Sequence, residues 1–406
     1  MDWGQIAQDR LADIATCSLP GAGVTRFPFT TEHRDALNVI RGWMERAGLE
    51  THLDAAGTLV GRSAGEGAAV LMGSHQDTVR DAGKYDGIMG IALACLAVEK
   101  LRSEGVTIGY PVEVLAFADE EGVRFPTALM GPRALAGTFD PGVLDMVDAD
   151  GVRLRDALDA FGGDANSLVA LERNPNDVRC FLEVHIEQGP VLQTSDKPVG
   201  VVTGICGIER NTVTFLGETG HAGTVPMEGR SDALVAAADF ISEVHDAAQQ
   251  VDDLRATVGT CRVGPGVANG IPDLAELTLE IRAPDDTVRE DFAAKTRVIT
   301  KACAHRRGAR HAMERTYVQP AVPCAPELRG VLSEVINATS HDETMTLPSG
   351  ATHDASAMAD LCDIAMLFVR CRDGVSHRPE EYASAADMGV AIEVLSSALM
   401  ALTEKP

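Results

Sequence analysis

The stretch GSHQDTVRDAGKYDGIMG, residues 73–90, decides how the chain folds. Five apolar residues lead into it: Ala68, Ala69, Val70, Leu71 and Met72. A short continuous apolar run bounded by glycine reads as a strand buried on both faces, the kind found in parallel sheets. The strand then gives way to a loop carrying His75, Asp77, Asp81 and Asp86. Open α/β sheets place their ligands at the carboxyl ends of such strands. His75 and Asp77 stand two residues apart, so in extended backbone they share a side. Imidazole and carboxylate together suit a borderline cation such as zinc. The carboxylate has a second use, to hold the far ring nitrogen and fix the tautomer. A lone His-x-Asp is a weak signal whose default reading is a solvated turn, so the rest of the chain must supply the missing ligands.

Working outward, residues 5–14 and 32–47 have helical periodicity, with Thr31 the expected cap of the second. Residues 49–62 alternate about Gly57 like a hairpin. Downstream, 88–101 reads as an apolar helix on the sheet, and PVEVLAFA (111–118) as the next buried strand, running into Asp119, Glu120 and Glu121. Residues 140–180 hold short helical pieces, DALDAF the clearest, and FLEVHI (181–186) is a third strand ending in Glu187 and Gln188. Near Gly207 the pattern changes. A strand at 212–216, a helix at 232–249 capped by Ser231, strands at 257–263 and 274–282, a helix at 287–305 and a strand at 310–318 make a βαββαβ-like insert. In 274–282 the alternation of Ala275, Leu277, Leu279 and Ile281 with Glu276, Thr278, Glu280 and Arg282 marks a half-buried antiparallel strand. After Pro323 the parallel-sheet character returns, with helices at 328–339 and 353–361, a strand at 365–369 and a last helix at 384–403. The expected class is therefore α/β, with a catalytic domain in two pieces (1–207 and 324–406) built on a mainly parallel sheet, interrupted by an α+β domain at 208–323.

Composition narrows the function. The chain has 406 residues, 45% hydrophobic and 4% aromatic, too many for one core. Lys+Arg 35 against Asp+Glu 60 leaves a net charge of −25, which argues against nucleic acid or an anionic membrane as partner. Nine scattered cysteines, odd in number and without a CxxC, read as reduced thiols in a cytoplasmic protein. The polar N-terminus MDWGQIAQDR has no apolar signal core, and no run is expected to span a membrane.

Each strand assigned to the catalytic domain ends in polar residues: His75 and Asp86, then Glu120 and Glu121, then His185, then His377. Three imidazoles and three carboxylates arriving at one sheet edge form the inventory of a two-metal site, with one shared ligand and two private ones per ion. The spare carboxylate is free to act as a general base. Neighbours at a strand end point oppositely, so Glu120 and Glu121 are expected to divide these roles.

The segments GSHQDTV, KYDGIMG, FADEEGVRFP (117–126), FLEVHIEQGPVL (181–192), GHAGTVPM (220–227), NGIP (269–272) with LEIR (279–282), PSGATHDA (348–355) and SHRPEEY (376–382) resemble those of the hydantoinase/carbamoylase amidases. These belong to the clan of co-catalytic zinc aminoacylases and carboxypeptidases. The resemblance runs in order along nearly the whole chain. It implies two divalent ions per subunit, zinc or else manganese, cobalt or nickel, and an inserted lid domain that also makes a homodimer. His75 would bind one ion, Asp86 bridge both, Glu121 bind the second, and His185 and His377 complete one each. Glu120 would be the base and Asp77 a supporting residue. His221, on the lid, would polarise the scissile carbonyl in the partner subunit's site. Asn269 and Arg282 would hold a substrate carboxylate, with Gln188 and His353 lining the same pocket. The implied reaction is hydrolysis of a linear amide or ureido C–N bond in a small carboxylate, allantoate or an N-carbamoyl-L-amino acid, releasing ammonia and carbon dioxide. An aminoacylase or dipeptidase is the alternative. GTVPM, HQD and KYDG favour allantoate-like acids, whereas Cys206, Glu209, Arg210 and Thr352 depart from common family forms.

Plain readings stand beside these. Arg282 is open to an ordinary cross-strand ion pair with Glu276 or Glu280, and His221 to being a loop histidine whose flanking glycines suit close approach to a ligand. His33, His52, His245, His305, His311 and His341 lie outside every motif and read as surface or core filler.

Overall fold

A computed structural model describes residues 1–340 and 343–403; His341 lies outside them. The chain divides into two compact units, one of Met1–Thr203, Cys324–Leu347 and His353–Pro406, the other of Gly204–Pro323 and Pro348–Thr352. Thirteen strands are described: β1 (Glu50–Leu53), β2 (Leu59–Arg62), β3 (Ala69–His75), β4 (Val112–Phe117), β5 (Val178–Ile186), β6 (Val199–Ile205), β7 (Gly207–Leu216), β8 (Arg255–Gly264), β9 (Leu274–Ala283), β10 (Arg310–Gln319), β11 (Val322–Pro323), β12 (Thr346–Ser349) and β13 (Ile364–Val369).

The larger sheet has the order β1-β2-β4-β3-β5-β13-β6-β11, with β12 also on β6. Its centre is parallel: β4 with β3, β3 with β5, and β5 with β13. Its margins are antiparallel, through β2 on β4 and β6 on β13. The four parallel strands are buried along almost their whole length, which is why β3, β4 and β13 read as mostly apolar runs, while β5 buries Glu183 and His185 among its apolar residues. Because they run the same way, their carboxyl ends meet at one edge, and the loops after them carry the polar residues. Helix Ile88–Ser103 lies on β3 and packs against helices Trp3–Ile14 and Ala385–Thr403.

Sheet β10-β7-β9-β8 of the second unit is antiparallel throughout. Ala275, Leu277, Leu279 and Ile281 are 1% exposed or less and join a core with helices Ala233–Ala248 and Asp286–Arg306. The opposite face carries Thr212, Glu276, Thr278, Glu280 and Arg282, as the alternation requires.

Several expectations change in detail. Helix Thr31–Arg46 is capped by Thr30, whose side chain accepts from His33 N–H, rather than by Thr31. Helix Ala233–Ala248 is capped by Asp232, not Ser231, because one carboxylate oxygen reaches both Leu234 and Val235 N–H. The helix expected at 353–361 is only Asp354–Met358, since the chain must turn back into β13 by Ile364. Helix Ala385–Thr403 is long and apolar enough to cross a bilayer by length and composition, contrary to the expectation above; 56% of that stretch is buried, so its apolar surface is used as core. The cysteines are all unpaired, six of them buried.

His33, read as filler, is fully buried. Its ring stacks on Phe161 with centroids 4.3 Å apart, and Nδ1 accepts from Phe29 N–H at 2.9 Å. Burial first, then the charges of Arg26 and Arg34, hold its pKa well below 6.5. Below that pH the unfolded chain takes up a proton that the folded ring refuses, so folding stability contributed here is intact above pH 6.5 and lost as pH falls. Relative to H33Q, native protein should lose stability by up to about 1.4 kcal/mol per pH unit below neutrality. Urea unfolding of both proteins from pH 7.5 to 5 measures this, and parallel curves would refute it.

Candidate metal centre

The parallel strand ends assemble the site. β3 delivers His75, the loop before helix Ile88–Ser103 delivers Asp86, the turn after β4 delivers Glu120 and Glu121, β5 delivers His185, and the loop after β13 delivers His377. Asp86 stands at the centre. Its Oδ1 lies 3.1 Å from His185 Nε2 and 3.6 Å from His75 Nε2, and its Oδ2 lies 3.2 Å from His377 Nε2. His377 Nε2 is also 3.6 Å from Glu121 Oε1. Three groupings therefore offer donor atoms within 4.8 Å of one another: His75, Asp86 and His185; Asp86, Glu121 and His377; and His75, Glu120 and Glu121. The last corrects one expectation. Glu120 and Glu121 do not diverge, because β4 ends at Phe117 and the two glutamates sit in a turn rather than on extended backbone.

Backbone geometry makes this convergence possible. Gly87 adopts φ +65°, and a Cβ there would stand 2.4 Å from the His75 ring, so only glycine lets the imidazole in. His377 and Gln188 are held at φ +58° and +56°, a left-handed conformation that costs an L-residue about 1–2 kcal/mol. Asp77 is fully buried and accepts Glu120 N–H at 3.1 Å and Glu121 N–H at 3.2 Å, one on each carboxylate oxygen. It thereby fixes the turn that aims both glutamates, and its Oδ1 lies 3.5 Å from His75 Nδ1.

The donor set fits a divalent cation. His75 Nδ1 lies 3.0 Å from Asp77 O, and His185 Nδ1 lies 3.0 Å from Ile186 O. A carbonyl only accepts, so each Nδ1 carries the proton and each Nε2 is left facing Asp86. Two acceptors at such separations repel unless a positive charge lies between them, supplied by a proton or by a metal ion. Without a metal the charge must be protons. Burial opposes ionisation of His75, but Asp77 and Asp86 raise its pKa well above the usual imidazole value, and Asp86 raises His377 to about 9. Burial works the other way on Asp86, yet hydrogen bonds from His185, His377 and His75 hold it well below the usual carboxylate range. Among the described residues Glu121 Oε1 is buried with no hydrogen-bond partner, and burial followed by the charge of Asp86 pushes that carboxyl up to about 7. Burial, then the charges of Glu121, Asp354 and Asp77, push Glu120 well above its usual range, with His75 opposing.

Other expected residues fall as follows. Gln188 Nε2 donates to Asp86 Oδ2 and Ser376 Oγ, both at 3.0 Å. His353 is 1% exposed and meets the His185 ring edge-on, centroids 4.5 Å apart. In the second unit, His221 bridges to Gly270, next to Asn269, and Asn269 O accepts from Ala222 N–H. His221 Nδ1 accepts from Gly223 N–H at 3.1 Å, which places the proton of the neutral ring on Nε2. Arg282 does make an ion pair with Glu280, at 2.8 Å.

The sequence reading missed three residues that brace the centre. Ser376 Oγ bonds Asp86 Oδ2 and Glu381 Oε2, and Glu381 Oε1 accepts from Tyr85 and Asp86 N–H. Both residues lie inside SHRPEEY, so the signal was present. Glu183, a charge within an apolar strand, joins Ser74 beside His75 to Ala355 N–H, two residues after His353, both at 2.8 Å.

The family model described as peptidase family M20/M25/M40 matches residues 71–401. The N-carbamoyl-L-amino acid amidohydrolase of Geobacillus stearothermophilus is 38% identical, over 93% of this chain and 92% of its own. A probable allantoate deiminase of Oryza sativa subsp. japonica is 40% identical, over 84% of this chain and 77% of its own. A crystal structure of a hydantoinase/carbamoylase family amidase from Burkholderia multivorans superposes with a TM-score of 0.92 at 30% identity, covering 99% of this chain and 98% of that one.

Asp77 orients three candidate donors, His75, Glu120 and Glu121. D77N should weaken zinc binding about 10–100-fold, the usual loss when such outer partners are removed. Competition with a chromophoric chelator reads it, and an unchanged affinity would refute the role.

Proposed function

The chain belongs to peptidase family M20/M25/M40, and from that premise we propose that it is a divalent-metal amidohydrolase of small ureido acids. The substrates in view are allantoate and N-carbamoyl-L-amino acids, hydrolysed at a ureido C–N bond with release of ammonia and carbon dioxide. One observation carries the reading: Asp86 presents one oxygen to His75 and His185 and the other to His377, with Glu121 alongside. That arrangement supports a reading in which two cations would share one carboxylate. His75, Asp86 and His185 would hold the first, and Asp86, Glu121 and His377 the second. Zinc suits the set, and manganese, cobalt and nickel accept the same ligands. Such ions supply acidification of water and polarisation of a carbonyl.

The protein's own groups do the rest. Glu120, in the grouping with His75 and Glu121, takes a proton from the attacking water and returns it to the departing nitrogen. His221, with its proton on Nε2, would donate to the developing oxyanion in the partner subunit's site. Arg282 and Asn269 take the substrate carboxylate, which fixes the position of the carbonyl. Identity to amidohydrolases over nearly the full length supports the ureido class above a peptide or acyl amide. Homodimerisation through the second unit belongs to the same reading, as does a cytoplasmic setting, which nine unpaired cysteines favour.

An ammonia-release assay over allantoate, N-carbamoyl-L-amino acids, N-acetyl amino acids and dipeptides tests the reading. Release from a ureido acid, lost on dialysis against chelator and restored by zinc, is the expected result. Preference for acyl amino acids or dipeptides would overturn it. E120Q should keep its zinc and lose about 10²–10⁴ in kcat; full turnover in that variant would remove the base assignment.

A further inference from the structure

The open face of the second unit's sheet carries a row of charges that the proposed chemistry uses only in part. On β9, Glu280 and Arg282 are two residues apart and share that face. The register sets Arg210 of β7 opposite Glu280, and Tyr317 of β10 opposite Arg210. It also sets Arg255 of β8 opposite Arg282. Like charges directly opposite one another are unfavourable, so Arg282 needs an anionic neighbour to stay beside Arg255.

Glu280 is that neighbour, and it is shared. Its Oε1 lies 2.8 Å from Arg282 Nε and its Oε2 lies 2.6 Å from Arg210 Nε. Arg210 is fixed from its other side by Tyr317, with the guanidinium carbon 5.1 Å from the ring centroid. Arg282 Nη1 donates to Gly350 O at 2.5 Å. Two of the five guanidinium N–H groups of Arg282 are thereby committed, and its plane is set. Among the described residues Nη2 makes no hydrogen bond, which leaves part of the fork for an incoming anion. A carboxylate demands a planar fork held in place. A single exposed ion pair would hold it loosely, whereas the run Tyr317, Arg210, Glu280, Arg282 ties it across three strands. One acid between two guanidinium groups also leaves a net positive charge locally, in a chain of net charge −25.

We infer that Arg210 and Glu280 are positioning residues that set the affinity for the substrate carboxylate by orienting Arg282. This rests on the proposed role of Arg282, so the test separates the two. Holoenzymes R210M, R210K, E280Q and R282M are compared on N-carbamoyl-L-alanine and on its neutral carboxamide. Each is also placed in an E120Q background and titrated calorimetrically with N-carbamoyl-L-alanine, so that binding is read apart from turnover. R210M and E280Q should each raise KM and Kd for the acid about five- to tenfold, a KM effect with little change in kcat. R210K, which keeps the charge without the fork, should recover part of the loss. With the carboxamide the penalty should vanish, which a merely structural defect would not allow. If R282M raises KM while R210M and E280Q do not, or if their penalty is equal for acid and amide, the positioning role is overturned. If R282M itself changes neither KM nor Kd, or if the E120Q protein does not bind the acid, the reading of Arg282 falls and this inference with it.

Discussion

One carboxylate shared by three imidazoles is the constraint on which the rest of the larger unit depends. Asp86 is 3% exposed, and a buried carboxylate without partners would be prohibitively costly. Its partners come from β3, β5 and the loop after β13, so their attraction draws three strand ends together. The parallel centre of the sheet is what allows this, because only parallel neighbours bring their carboxyl ends to the same edge. The braces follow from the same need. Glu381 and Ser376 hold Asp86, Asp77 holds the glutamate turn, and Glu183 ties β3 and β5 to the start of helix Asp354–Met358.

These braces are themselves mostly acids, so the centre crowds buried carboxyl groups around Asp86. Glu381 is pushed up to about 7 by burial and then by Asp86, and Glu121 is raised in the same way. Asp119 and Asp354 are buried too, and among the described residues neither side-chain oxygen of Asp354 is hydrogen-bonded. Such crowding disfavours the charged forms unless positive charge is added. Metal affinity and the folding of this edge of the sheet are thus parts of one electrostatic problem, and binding energy is drawn in part from relieving the repulsion.

Much of this was legible in the amino-acid order, for identifiable reasons. The apolar run before His75 has no alternation, and the run before Asp119 is broken only by Glu113, which marks both as central strands; the strand through His185 alternates Glu183 and His185 with Leu182, Val184 and Ile186, yet is buried on both faces. β9 alternates cleanly, which fixes it as half-buried. Ligand types stand out because histidine and paired acids are rare at the ends of such runs. What escaped reading has physical causes too. β6 and β12 are short or glycine-interrupted and pair at the margin, where periodicity says little. The turn at Glu120 and Glu121 depends on Asp77, far away in the chain, so local rules gave the wrong mutual direction. Arg26 donates to the carbonyls of Gln76, Ile14 and Cys17 from full burial, and nothing in its neighbourhood announces a buried cation.

The left-handed backbone at His377 carries a consequence for how this protein can change. Glycine would relax that position, and it is the substitution that selection for heat resistance would ordinarily reward there. Here it would delete an imidazole. Gln188 is caught in the same conflict through its amide on Asp86. The catalytic edge is therefore a reserve of conformational tension that the protein is not free to discharge, and gains in robustness must be sought elsewhere in the molecule, in caps, surface charges and the helical layers.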